Sequence, residues 1–199
     1  MTYENTTELY LAYGSNMNHE QMMKRCPDAT FVGTALLVGW QLVFRGVADI
    51  EQVRKSRVPV AMWLTTPKCR AALDRYEGAP NLYNRNYGHR KALPLDMIKY
   101  KILSYELDGD LVQEEQLSID EQVQISTLPR FSYVMTAQHQ DKYREPSYQY
   151  YHSIVQGYTD CGLEDKHGLS MTAAASAMRA GNERKAKKGW FTYLHSEGN

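Results

Sequence analysis

The chain has 199 residues, 43% of them hydrophobic and 23% charged, with 23 basic and 23 acidic side chains. This length predicts one domain with a sizeable core, and zero formal net charge leaves no global field to draw nucleic acid or a membrane surface. Cys26, Cys69 and Cys161 lie far apart, which speaks against a disulfide framework or a zinc site and for a reduced, cytoplasmic setting. The opening "MTYENTTELY" has no basic and apolar leader pattern, so no signal peptide is expected. No apolar run approaches the ~20 residues of a membrane span.

In chain order, "ELYLAYG" reads as a first strand, and residues 18–25, "NHEQMMKR", as a short helix ended near Pro27. "TFVGTALLVGWQLVFRG" alternates and carries glycines, which predicts two strands with bends. "VPVAMWLT" is a further strand. "TPKCRAALDRYEG" has the marks of a helix: Thr66 as cap, Pro67 in the first turn, Gly78 after the end. "LYNRNYGHRKALPL" is extended, "KYKILSYEL" and "FSYVMTA" are strands, and the acidic "GDLVQEEQLSIDEQVQ" between them reads as an exposed insertion. "SYQYYHSIVQGYTDCGL" and "LSMTAAASAMRAG" are helices. Strands first and helices last predict an α+β fold. The basic run "NERKAKKGW" reads as a solvated tail rather than an anion-binding patch.

Two short motifs carry chemistry. In "YGSN", Gly14 permits positive φ and close backbone approach. Ser15 and Asn16 can cap the following helix. Such a turn can aim several N–H groups at one anion or oxyanion. It can equally be a plain strand-to-helix turn. In "LDRYEG", Glu77 sits at a helix C-terminus, where the dipole opposes a carboxylate and raises its pKa, although an exposed glutamate reads the same way. Asp74 is a competing carboxylate. The six histidines, His89 in "YGHRK" among them, lack metal-ligand spacing. No phosphate-binding glycine motif is present, so no cofactor and no metal are expected. The 15 tyrosines can line a polar pocket or sit half-buried with wet hydroxyls.

These pieces together resemble the gamma-glutamylcyclotransferase, or AIG2-like, family. The resemblance rests on "YGSNM", "RCPDATFVGTALLVGWQLVFRGVADI", "VAMWLTTPKCRAALDRYEG" with "LYNRNY", "YVMTA" and "PSYQYYHSIVQGYTDCGL". It spans about residues 9 to 165. It implies a small mixed β-barrel flanked by helices, in a domain over 9–170 between an N-terminal extension, 1–8, and a C-terminal helix and basic tail, 171–199. It implies Glu77 as acid/base, and a substrate pocket formed by Tyr13, Gly14, Ser15, Asn16, Tyr83 and Tyr133. "EQVRKSRVPV" lacks a glycine common before its strand, the acidic insertion is long, and the tail beyond Leu169 has no counterpart. These departures bear on substrate identity more than on fold.

The implied substrate is a small gamma-glutamyl compound. Its α-amine attacks its own δ-carbonyl and expels an amine or amino acid, leaving 5-oxoproline. A base must first take a proton from the ammonium and an acid must supply one to the leaving nitrogen. The rival expectations are a non-catalytic member of the same fold that binds a small ligand or a protein, an enzyme of this fold acting on a gamma-glutamyl amine, a carrier-bound gamma-glutamyl group or an unrelated small molecule, and an interaction protein that uses the tail and the insertion. No oligomeric state is implied.

Overall fold

A computed structural model describes residues 7–88, 93–105, 111–140, 142–163 and 166–179. His89, the basic run from Asn182 and part of the acidic insertion lie outside the described residues. Among the described residues, seven strands form one sheet: β1 (Glu8–Ala12), β2 (Thr30–Phe44), β3 (Ala48–Thr65), β4 (Tyr83–Asn86), β5 (Leu95–Tyr105), β6 (Leu111–Glu115) and β7 (Arg130–Met135). Their order is β4-β7-β1-β3-β2-β5-β6. All neighbours are antiparallel except β1 and β7, which run parallel through Leu9↔Arg130 and Tyr10↔Phe131. The expected mixed α+β architecture is present; β4 and β6 are edges, so the sheet is open rather than a hydrogen-bonded barrel.

Two expected strands proved to be one. Thr30–Phe44 stays paired with β3 along its length, and the glycines that suggested breaks sit at register shifts between Phe31 and Gly33 and between Val38 and Trp40. A bulge adds a residue and bends a strand without ending it. At Gly33, φ is +134, and a Cβ would lie 2.0 Å from the Lys99 carbonyl oxygen of β5. Only glycine allows that approach. β3 likewise extends well upstream of "VPVAMWLT", because Arg57 pairs with Val38 and residues 48–52 pair with the second half of β2. Its exposed polar residues had hidden that. The acidic insertion contains β6 and a helix, α3 (Ile119–Thr127), opened by a reciprocal Ser118–Glu121 capping box.

The other helices are α1 (His19–Arg25), α2 (Pro67–Tyr76), α4 (Tyr148–Asp160) and α5 (Lys166–Arg179). α2 begins and ends where its sequence says. Thr66 accepts from the Cys69 N–H at 3.2 Å, Pro67 opens the first turn, and Gly78 has φ +63 after the C-cap Glu77. α5 spans the expected boundary at 170 and docks on β2, where the Ser176 hydroxyl accepts from the Phe44 N–H at 2.9 Å. The core is apolar and continuous, with Leu9, Leu11, Met17, Phe31, Phe44, Trp63, Phe131 and Tyr158 almost wholly buried. Each such side chain contributes ~1.5–3 kcal/mol relative to exposure. No helix among the described residues is long and apolar enough to cross a membrane.

Candidate active site

β1 ends at Ala12, and the chain turns at once into a 3-10 turn, Ser15–Met17, before α1. Asn18, not Ser15 or Asn16, caps α1, accepting from the Gln21 N–H at 2.8 Å. That frees Ser15 and Asn16 from capping, and both are buried. Gly14 has φ −113, so the positive φ expected of it is not used. Space, rather than φ, constrains it: a Cβ there would stand 3.2 Å from the Tyr150 hydroxyl and 3.3 Å from the Ala48 Cβ. α4 clamps the turn from behind. A Cβ on Gly157 would come within 2.6 Å of the Asn18 nitrogen and 2.7 Å of Met17.

Opposite the turn, the end of α2 presents Glu77. The Asn16 side-chain amide donates to Glu77 Oε1 at 2.8 Å and to the Tyr10 hydroxyl at 2.9 Å. Burial pushes the Glu77 carboxyl up to about 7, against the pull of the Arg25 charge and of the Asn16 hydrogen bond. Between turn and glutamate lies a cavity of about 200 Å³. All seven residues expected at the site (Tyr13, Gly14, Ser15, Asn16, Glu77, Tyr83 and Tyr133) line it. Asp74 is drawn away: it accepts from the Tyr133 hydroxyl at 2.7 Å and from Arg85 at 2.9 Å.

Sequence reading missed three lining tyrosines, Tyr10, Tyr76 and Tyr150, together with Val47, Ala48 and Leu82. It also missed Arg25, which stands behind Asn16. The high tyrosine count was the available signal. The six tyrosines differ in what their protons can do. Tyr13 donates to the Tyr133 carbonyl at 2.7 Å, Tyr83 to the Ala48 carbonyl, and Tyr133 to Asp74. Tyr76 shares a 3.3 Å hydrogen bond with Ser15 Oγ. Tyr10 accepts from Asn16, and Tyr150 accepts from the Ala48 N–H at 3.1 Å. Of the six, then, Tyr10 and Tyr150 each keep a proton free to offer a ligand, and the Ser15–Tyr76 pair keeps one more, on whichever hydroxyl accepts. Burial holds Tyr10 and Tyr150 well above the ordinary tyrosine value, so both remain neutral donors. Among the described residues no group of three His, Cys, Asp or Glu could hold a metal ion.

A mixed sheet whose first strand delivers a polar turn opposite a half-buried carboxylate defines a small, tyrosine-lined ligand site. The sequence model of the gamma-glutamyl cyclotransferase, AIG2-like family matches residues 10–153, and the chain belongs to that family. The solved structures similar to it include two that align over most of both chains. One, a gamma-glutamyl cyclotransferase, is 22% identical with a TM-score of 0.54, covering 84% of this chain and 87% of that one. The other, an uncharacterised protein from Homo sapiens, is also 22% identical with a TM-score of 0.54, over 85% of this chain and 88% of that one. At that identity the likeness establishes the shared fold. No curated protein sequence matches the chain significantly.

Proposed function

We propose that the protein is a gamma-glutamylcyclotransferase-like enzyme that releases 5-oxoproline and an amine or amino acid from a small gamma-glutamyl compound. The observation that carries this reading is Glu77: a half-buried carboxyl, held near 7, with Asn16 on one oxygen and a tyrosine-lined cavity beside it. A group that titrates there can take a proton from an ammonium and return one to a leaving nitrogen near neutral pH.

The cyclisation joins the α-nitrogen to the δ-carbon and breaks the bond from that carbon to the leaving nitrogen. Glu77 removes a proton from the α-ammonium; the amine attacks; the carbonyl oxygen becomes an oxyanion. Tyr10 and Tyr150 carry free hydroxyl protons for the oxyanion or the α-carboxylate. In the 3-10 turn the Ser15 N–H is held by the Tyr150 hydroxyl and the Met17 N–H by the Gly14 carbonyl, which leaves the Asn16 N–H as a further donor. Each aimed donor contributes about 3 kcal/mol to such a transition state. Glu77 then protonates the leaving nitrogen as the tetrahedral intermediate collapses, and the second proton of the ring nitrogen passes to the departing amine, which leaves as an ammonium. No water is consumed, and the chemistry calls for no cofactor. The cavity is at the small end for ligand sites, which suits the compact glutamyl part and leaves the departing amine toward solvent. A rigid pocket that folds this chain onto itself contributes an orientation term.

The test is a panel of gamma-glutamyl amino acids, amines and peptides, with 5-oxoproline detected by mass. Release from at least one member supports the reading. Binding without release across the panel would assign the chain to a non-catalytic member of the fold.

A further inference from the structure

Arg25 ends α1, where a cation complements the helix dipole. A bland role there would be a helix-end contact. Its partners point elsewhere. One guanidinium nitrogen donates to the Asn16 side-chain carbonyl oxygen and lies 3.5 Å from Ser15 Oγ, and the other donates to Gln21 Oε1 at 2.8 Å. The guanidinium carbon sits 3.6 Å from the centre of the Tyr76 ring. The fork is thus pinned by an aromatic face and a glutamine, and aimed at Asn16.

We propose that Arg25 is a positioning residue: by holding the Asn16 carbonyl oxygen it turns the Asn16 amide toward Glu77 and so sets the orientation and charge of that carboxylate. This rests on the assignment of Glu77 as acid/base. The amide has one carbonyl and one NH₂. With the carbonyl taken by a cation, both N–H bonds face Tyr10 and Glu77, and both are used. The reverse orientation would set a carbonyl against a carboxylate and an NH₂ against a guanidinium. Asn16 therefore ties down Oε1 and leaves Oε2 for a substrate. Arg25 reaches Glu77 through Asn16 rather than by a direct ion pair, which favours the carboxylate without neutralising it.

The other titratable groups facing Glu77 are tyrosines: Tyr10 and Tyr13 from β1, Tyr83 from β4, Tyr133 from β7 and Tyr150 from α4, with Tyr76 on its own helix. Burial holds the first five above the ordinary tyrosine value, so they stay neutral while Glu77 titrates. Among the described residues, Arg25 is the cation that sets the balance.

The experiment follows Glu77 directly, by carbon NMR of protein labelled at the glutamate side-chain carboxyls, with Glu77→Gln assigning the signal. Removing an adjacent cation in Arg25→Gln is expected to raise the titration by about one pH unit, a tenfold loss of carboxylate at pH 6. Arg25→Lys, which keeps the charge and loses the fork, is expected to move it by less than half as much. The acid limb of kcat/KM should shift by the same amount in each variant. A Glu77 titration unchanged in Arg25→Gln overturns the proposal. Should that variant fail to fold, Arg25→Met, whose stem still covers Tyr76, is held to the same criterion. The NMR readout needs no substrate: a shifted titration without 5-oxoproline release would sink the cyclotransferase reading alone, and an unshifted one with release would sink this inference alone.

Discussion

Two carboxylates, the fully buried Asp49 and the half-buried Glu77, are answered differently. Asp49, at the start of β3, is fully buried; it accepts from Arg45 Nε at 3.0 Å and from the Met135 N–H at 2.9 Å, with the Ile50 N–H also acting on it. Arg45 is itself almost wholly buried, bonded to the Gln140 carbonyl and to Glu51 at 3.2 Å, and Glu51 takes Tyr143 at 2.8 Å and Arg179 at 3.2 Å. Glu77 has an amide where Asp49 has a guanidinium, and its cation stands one side chain back. Burial raises both carboxyls, yet Asp49 is spent on cross-linking the hairpin and β7, while Glu77 keeps an oxygen open. The placement of the cation separates a structural carboxylate from one left available to react.

Breaking the structural pair should have the largest effect. Arg45→Ala leaves Asp49 buried without its cation, and one partner removed from a buried pair costs about 3–5 kcal/mol. Denaturant unfolding should show that loss. A drop under 1 kcal/mol would mean that solvent reaches Asp49 and the contrast with Glu77 fails.

Glu77→Gln should do the reverse, reducing turnover by ~10²-fold or more with the fold intact. The carboxyl's folded value near 7 lies above its ordinary 4.5. The native state therefore holds an extra proton between those values, and the contribution of Glu77 to stability, fully present below 4.5, is lost as pH rises through 7. The variant should gain on the native protein in melting temperature above pH 7 and show no such gain near pH 4. Activity needs the ionised form, so kcat/KM should climb through an apparent pKa near 7. A flat profile from pH 5 to 8 would remove Glu77 from the base role.

Gly14→Val tests the space at the turn. Its branches meet the Tyr150 hydroxyl and Ala48, so binding and turnover should both be lost, with about 1–3 kcal/mol of overpacking. Normal kinetics in this variant would show that the turn is no wall of the site. The smallest contrast is between the two ends of that turn, Ser15 and its C-cap Asn18. Asn18→Ala removes the cap and should cost about 1 kcal/mol in melting experiments, whereas Ser15→Ala loses only long contacts to Tyr76 and Arg25 and should cost about 0.5 kcal/mol. Abolished turnover in Ser15→Ala would instead assign the hydroxyl a direct role.

What could be read from the chain alone was local. Thr66, Pro67 and Gly78 mark α2 because caps and breakers act within one turn of backbone, and "YGSN" and Glu77 were legible because each sits at an element's end. The split of β2 and the missing upstream half of β3 were misread because pairing, not local composition, carries a strand through glycines and charges. Capping by Asn18 rather than Ser15 or Asn16 was hidden because a 3-10 turn delays the helix by one step. Tertiary structure alone decided the rest. Tyr10, Tyr76 and Tyr150 reach one cavity from β1, α2 and α4, Arg25 stands behind Asn16 from α1, and Asp49 finds Met135 from β7. Those contacts span 86 residues in the case of Asp49 and Met135. A carboxylate's proton affinity depends on what surrounds it in space, so no local pattern could tell Glu77 from Asp49.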